Sequence, residues 1–189
     1  MTAIAISWAG PTAIALVTGW FGYLFGARQE REKERRARNA KAAAELTAPL
    51  RELQRLLRRF GRVDLDKHEV AHAFLSLSAA FDNHGHRLPP GWRHLARSLR
   101  DAAGTAFGGA SLVHIRPDVM QLDLGEPDAM WRDYADEYLE YAARCILEWG
   151  DSSQDRSKEL MTYEAWLVRT GRQEQGGNNG RQVTSTPAA

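Results

Sequence analysis

Residues 3–26 read AIAISWAGPTAIALVTGWFGYLFG, and residues 27–60 continue as ARQEREKERRARNAKAAAELTAPLRELQRLLRRF. The first stretch has 24 residues without a charged side chain, and as an α-helix it would be about 36 Å long. That length exceeds the roughly 30 Å of a bilayer's hydrocarbon core. The second stretch is rich in Ala, Glu, Lys, Arg and Leu, which are good helix formers. Together they predict a helix that spans a membrane and continues into water.

The order of apolar and basic residues indicates the kind of membrane segment and its orientation. A secretory signal peptide carries basic residues before its apolar core, whereas here they follow it, so we expect an uncleaved anchor over residues 1–27. The positive-inside rule then places the N-terminus outside the cell membrane and the remainder in the cytoplasm. We expect the basic side chains after the anchor to contact anionic lipid headgroups. They are Arg28, Arg31, Lys33, Arg35, Arg36, Arg38 and Lys41.

Small residues form one stripe along the apolar segment. Ala15, Gly19, Gly22 and Gly26 recur at spacings of 4, 3 and 4, and small residues let two helices approach closely in lipid. The stripe predicts a homodimer, although glycine is also common in membrane helices that do not pair. Pro11 either kinks this helix or lies in its first turn.

The charges are divided unequally along the 189 residues, whose net charge is only +1. Residues 28–62 carry 12 basic and 5 acidic side chains, residues 63–115 carry 5 of each, and residues 116–189 carry 8 basic and 14 acidic ones. The opposite charges of the basic stalk and the C-terminal helices predict either that one docks on the other or that copies of the chain contact each other head to tail. The single cysteine, Cys145, excludes an intramolecular disulfide framework.

This pattern divides the chain into four parts. After the anchor we expect a basic juxtamembrane helical stalk at residues 28–46 and a cytoplasmic helical domain at residues 47–170. Residues 171–189 are rich in Gly, Asn, Gln and Thr, a composition typical of a disordered tail. The expected fold class is all-α, a small helical bundle on a stalk.

Apolar periodicity places the helices of the domain. A heptad-like seam consists of Leu46, Leu50, Leu53, Leu57 and Phe60. Pro49 interrupts it, either as a kink or in the first turn of a new helix that Thr47 caps. Further helices are expected at about residues 66–81, from Pro89 or Pro90 to 104, 127–149 and 154–169. The apolar stripes of the last three are Trp92, Leu95 and Leu99, then Trp131, Tyr134, Tyr138, Ala142, Cys145 and Trp149, and finally Leu160, Tyr163, Trp166 and Leu167. Residues 110–124 leave open whether two short strands form.

One motif carries a specific chemical hypothesis. His68-Glu69-Val70-Ala71-His72 matches H-E-x-x-H and over these five residues resembles the zinc-binding helix of the zincin metallopeptidases. The resemblance implies His68 and His72 as zinc ligands and Glu69 as the general base on a metal-bound water. Leu75 and Ser78 stand where the extended motif has its glycine and third histidine.

A structural explanation covers the same residues. Asp66 and Glu69 have the spacing of a helix capping box. At 100° per residue, His68 and His72 point away from the apolar stripe of Val70, Phe74, Leu77 and Phe81.

We therefore expect a single-pass membrane protein whose cytoplasmic domain binds a protein partner of unknown identity, without catalysis or a cofactor of its own. The alternative is a membrane-tethered zinc metallopeptidase that uses the motif at residues 68–72. A nucleic-acid binder that uses Arg35, Arg36 and Arg38 is less favoured, because these residues lie beside the expected bilayer.

Overall fold

The computed structural model describes residues 9–108, 124–152 and 159–172, with side chains described from residue 28 onward. The five α-helices in these ranges are α1 (Ala9–Arg59), α2 (Lys67–His84), α3 (Leu95–Ala106), α4 (Ala129–Asp151) and α5 (Tyr163–Arg169). Two short 3-10 turns, Gly85–Arg87 and Pro90–Trp92, connect α2 to α3. Within the described ranges there is no β-strand, only an isolated bridge between Phe60 and Val63. The all-α class expected from the sequence is confirmed for these ranges.

α1 is one helix of 51 residues that runs through Pro49. Proline removes one helical hydrogen bond, at a cost of about 3 kcal/mol inside a helix. The helix persists because Leu46 and Leu50, on either side of Pro49, are fully buried in the same core. Thr47 does not cap a new helix: its hydroxyl donates back to the carbonyl oxygens of Ala43 and Ala44, at 2.9 and 3.2 Å.

The first four helices run alternately up and down. Glu69 near the start of α2 contacts Arg59 at the end of α1, whereas His84 at the end of α2 contacts Glu45 farther back along α1. α4 is likewise antiparallel to α1, because Asp136 pairs with Arg58 near one end and Gly150 lies against Ala43 near the other. This arrangement is an up-down-up-down four-helix bundle.

α3 closes the bundle, and α5 covers one side of it. Phe107, directly after α3, packs edge to face on Phe60 and Phe74, with ring centroids 5.2 and 6.1 Å apart. The ring centroid of Tyr163 in α5 lies 5.1 Å from that of Tyr138 in α4.

The core contains most of the apolar stripes expected from the sequence. All five members of the seam from Leu46 to Phe60 are buried, as are Val70, Phe74 and Leu77 of α2. The other buried members are Trp92, Leu95, Leu99, Tyr138, Ala142, Cys145, Trp149, Leu160, Tyr163, Trp166 and Leu167. Phe81, Trp131 and Tyr134 pack at the edge of the core and stay partly exposed. The periodicity therefore identified the buried face of each helix.

The last helix, expected over residues 154–169, does not extend through the described residues 159–162. α5 begins at Tyr163, where the Thr162 hydroxyl caps it by accepting from the backbone N–H of Ala165 at 3.2 Å. Just before the cap, the carbonyl of Met161 accepts from the Tyr138 hydroxyl at 2.9 Å, and the Met161 N–H donates to the Tyr141 hydroxyl at 3.2 Å. Because these contacts with α4 use the backbone groups of Met161, residues 159–162 are non-helical.

Several predictions fall outside the described residues. The possible strands lie almost wholly in residues 109–123, and most of the expected tail lies in residues 173–189. The side chains of the expected anchor, including Pro11 and the stripe of Ala15, Gly19, Gly22 and Gly26, are also outside them. Across the part of the chain that is described, no helix has the length and apolar character required to cross a bilayer.

The close approach of α1 and α4 generates the first prediction. A Cβ atom at Gly150 would lie 2.6 Å from the Cβ of Ala43, which is closer than two carbon atoms can pack. Alanine normally stabilises a helix relative to glycine by about 1 kcal/mol, but we expect Gly150→Ala to lower the free energy of unfolding by about 1–3 kcal/mol through overpacking. Urea denaturation of the full chain measures the change.

Two variants serve as controls. Ala43→Gly combined with Gly150→Ala should recover part of the loss, because it removes the opposing methyl group. Gly91→Ala should have little effect, because nothing lies within 4 Å of a Cβ at that position. A stabilised Gly150→Ala variant would show that α1 and α4 are farther apart than described.

Candidate functional site

Residues 28–38, the first part of the expected stalk, are an exposed part of α1 that carries no core residue, whereas Ala42, Ala43 and Leu46 at its end belong to the core. Every residue from 28 to 38 is exposed, a length of about 15 Å, and burial along α1 begins with Ala42 and Ala43. Lys41 lies beside the bundle and pairs with Glu45 one turn on, at 3.8 Å. Six of the seven basic residues expected at a membrane surface therefore lie on the exposed stretch of α1 that precedes the bundle, and the seventh is Lys41.

The stalk has a basic face. Arg28, Arg31, Arg35 and Arg38 follow one another at spacings of three or four residues, which places them on one side of the helix. Lys33 and Arg36 lie on other sides, interspersed with Glu30, Glu32 and Glu34. One side of the helix therefore presents four arginines to a surface.

An ion cluster joins α1 to the first turn of α2. Glu69 accepts from the Arg55 guanidinium and from Nη1 of Arg59, which lies 3.0 Å from Oε1 and 3.2 Å from Oε2. Arg55 also donates to Glu52 at 2.6 and 2.9 Å. The hydrogen bond from Arg55 is the main reason that the pKa of Glu69 is lowered from its ordinary value of 4.5. The Glu69 carboxylate is thus held ionised between two arginines.

The three motif residues lie in different environments. Asp66 caps α2 as expected, accepting from the backbone N–H of His68 at 2.9 Å, while both carboxylate oxygens of Glu69 accept from α1 instead of completing the capping box. His68 and His72 are exposed, on the side away from the buried Val70.

A catalytic glutamate must reach a metal-bound water, whereas the Glu69 oxygens lie against guanidinium groups. Among the described residues, no three His, Cys, Asp or Glu side chains are placed to hold a metal ion. The peptidase alternative stays a prediction that these contacts do not favour.

The acidic flank of α4 docks on the second half of α1. Gln54, only 5% exposed, donates through Nε2 to the carbonyl oxygen and Oδ1 of Asp136 at 3.2 and 3.1 Å, and to Oε2 of Glu140 at 3.3 Å. Arg58 donates to Oδ2 of Asp136 at 3.0 Å. These contacts join α4 to residues of α1 that follow the stalk, while residues 28–38 of the stalk are exposed and dock on no described part of the chain.

Gln54 was not predicted to be a contact residue. One feature of the sequence could have identified it. Gln54 is an uncharged polar residue directly after Leu53 of the leucine seam and four residues before Arg58. Such a residue indicates a specific polar contact across a helix interface, because a buried amide must be hydrogen-bonded.

A polar groove between α3 and α5 was also not expected. It has a volume of about 240 Å³ and is lined by His94, Arg97, Ser98, Asp101, Thr162, Tyr163 and Glu164. Nε2 of His94 and the hydroxyl of Tyr163 are buried without a hydrogen-bond partner among the described residues. The apolar spacing of the last helix predicted Tyr163 only as a core residue. Helical periodicity shows that the ring is buried but does not show where its hydroxyl group lies.

Comparison with known proteins found no family model, no curated protein and no solved structure that matches this chain.

The Glu69 cluster generates the second prediction. Because the pKa of Glu69 is lowered in the folded state, the ionised carboxylate stabilises the fold above about pH 4.5, and this contribution is lost as the pH falls through the folded-state value. We expect Glu69→Gln to lower the free energy of unfolding at pH 7, with the difference from the unsubstituted chain disappearing at low pH. Urea denaturation between pH 7 and pH 3 measures both.

His72→Ala is the matched control on the same helix, and we expect it to change stability by less than about 0.5 kcal/mol because His72 is exposed. Equal pH dependence in Glu69→Gln and the unsubstituted chain would show that the arginines do not hold Glu69 ionised. Stoichiometric zinc in the dialysed chain that is lost in His72→Ala would instead support the peptidase alternative.

Proposed function

We propose that this chain is a single-pass membrane protein whose cytoplasmic four-helix bundle binds a protein partner and is held away from the bilayer by the basic stalk. The observation that carries the proposal is the continuity of α1. One helix leads from the charge-free segment, through an exposed stalk, into the leucine seam of the core.

The stalk needs support at both ends. A helix of 11 residues with no buried face is only marginally stable in water, because helix formation requires an unfavourable nucleus. The bundle supports one end by burying Ala42, Ala43 and Leu46. A membrane-spanning helix would support the other end, since unpaired backbone groups are costly in lipid and keep the chain helical.

The arginines suit a stalk that begins at a lipid surface. Arg28 and Arg31 would lie closest to the headgroups, where each basic side chain contributes roughly 1 kcal/mol of attraction to anionic lipid. This attraction falls off within a Debye length, about 8–10 Å, so Arg38 would contribute less than Arg28. The N-terminus would lie outside the cell and the bundle in the cytoplasm.

The bundle itself is better suited to interaction than to catalysis. Its main ionic contacts, from Glu69 to Arg55 and Arg59 and from Asp136 to Arg58, join helices to one another. The outer faces of the helices are open to a protein partner, and docking of a helix against a groove is a common mode of protein recognition.

The anchor generates the third prediction. We expect the full chain to stay in the membrane pellet after alkaline carbonate extraction and Ile14→Arg/Leu16→Arg to release it, because each arginine near the centre of a membrane helix costs about 2.5–3.5 kcal/mol. Ala37→Arg/Ala44→Arg, two matched substitutions outside the anchor, should leave the chain in the pellet. Carbonate release of the unsubstituted chain would contradict the proposal.

Orientation can be read in the same cells by cysteine labelling in a Cys145→Ser background. An impermeant maleimide should label Thr2→Cys in intact cells and should label Ser185→Cys only after lysis. Replacing Arg28, Arg31, Lys33, Arg35, Arg36, Arg38 and Lys41 with glutamine should give mixed orientation, because these residues supply the positive-inside signal. Labelling of Ser185→Cys in intact cells would contradict a cytoplasmic bundle.

A homodimer through the small-residue stripe is part of the proposal and generates the fourth prediction. Gly22→Ile/Gly26→Ile should reduce energy transfer between labelled full-length chains in vesicles, because the larger side chains separate the helix backbones. Val17→Ile, off the stripe, is the control. Unchanged transfer in the glycine variant would show that the stripe is not a contact surface.

A further inference from the structure

The side chain of Arg172 lies between two aromatic rings and a carboxylate. Its guanidinium carbon lies 4.7 Å from the ring centroid of Tyr134 and 4.9 Å from that of Trp166. Its Nη2 lies 2.7 Å from Oε2 of Glu137. Tyr134 and Glu137 are one turn apart on α4, whereas Trp166 belongs to α5.

The backbone turn at Gly171, directly after α5, positions the Arg172 side chain. Gly171 has a positive φ of 71°, a conformation that glycine adopts without strain. The Gly171 and Arg172 N–H groups donate to the carbonyl oxygens of Val168 and Leu167, at 3.1 and 2.9 Å. These bonds close a helix C-cap that turns the chain back toward α4.

The walls of the site are held by contacts that do not involve Arg172. The Trp166 ring stacks on Tyr163, with centroids 6.3 Å apart, and packs on Tyr138 at 5.7 Å. Tyr134 packs edge to face on Trp131 at 5.9 Å. Removal of Arg172 should therefore leave a preformed recess with two aromatic faces and one carboxylate.

This combination is selective for a guanidinium group. A guanidinium is planar and weakly hydrated, so it stacks on aromatic faces and donates to a carboxylate in the same plane, whereas an ammonium is a strongly hydrated point charge. The Arg172 side chain is 23% exposed and that of Glu137 55% exposed, so the site is open to solvent at its acidic edge. Asp133, exposed on α4 one turn before Glu137, adds negative charge on the same helix.

We propose that Tyr134, Glu137 and Trp166 form a guanidinium-binding site that Arg172 fills in cis, and that an arginine side chain of a partner protein competes with Arg172 for it. The proposal rests on the proposed function in that the bundle is taken to bind a protein. The acidic surroundings favour a basic, arginine-bearing segment as the partner.

The test uses full-length chain in detergent and compares the unsubstituted protein with Arg172→Gln. Ethylguanidinium should produce a saturable change in tryptophan fluorescence in Arg172→Gln and none in the unsubstituted chain, while propylammonium, of similar size, should produce none in either. A capped Gly-Arg-Gly peptide should bind Arg172→Gln about tenfold more tightly or better, because the tethered side chain competes at an effective millimolar concentration.

Two further variants locate the binding and guard against misfolding. Arg172→Gln/Glu137→Gln should abolish the response, whereas Arg172→Gln/Glu164→Gln, which removes a carboxylate elsewhere on α5, should retain it. If Arg172→Gln does not fold, Arg172→Lys retains the charge and the stem and should show the same preference for ethylguanidinium.

The proposal is overturned by no saturable response in the folded variant, by an equal response to propylammonium, or by a response that Glu137→Gln does not change. Membrane extraction of the same variants is independent of these outcomes. Failure of guanidinium binding therefore leaves the anchor standing, and failure of the anchor leaves the binding site standing.

Discussion

Burial of leucines on both sides of Pro49 is the constraint on which the rest of the structure depends. Proline at this position disfavours a continuous helix, yet Leu46 and Leu50 pack into a single core, and α1 is continuous through Pro49. Each buried leucine contributes about 1.5–3 kcal/mol, so a few of them outweigh the missing hydrogen bond. Since α1 is unbroken, the stalk and the first helix of the bundle are parts of the same helix.

The continuity of α1 also determines how the charges are used. The basic zone, residues 28–62, has two parts with different contacts. Its later residues, such as Arg58, neutralise the acidic flank of α4 inside the chain, while Arg28 to Arg38 stay exposed on the stalk. Glu137, on the side of α4 away from these contacts, instead pairs with Arg172. One chain thus has a basic surface near its proposed membrane end and an acidic surface on the bundle.

Periodicity predicted the helices and their buried faces well, because burial at a spacing of 3.6 residues leaves a direct record in the sequence. Local capping was also readable, as at Asp66. The start of α5 was not, since hydrogen bonds from Tyr138 and Tyr141 to Met161 compete with helix formation over a distance of about 20 residues in sequence. Of the candidate sites, the exposed stalk was predicted, while the groove beside His94 and the recess filled by Arg172 were not.

The sequence by itself determined the helical class, the stripes that form the core and the separation of charge along the chain, because these depend on residue type and spacing. Only the tertiary structure decided which partner each charged side chain has. Glu69 belongs to a plausible metal motif in sequence, but the antiparallel packing of α2 on α1 places it between Arg55 and Arg59. Likewise Tyr134, Glu137, Trp166 and Arg172 meet only because the C-cap at Gly171 returns the chain to α4. Such contacts depend on distances between helices, which no local pattern records.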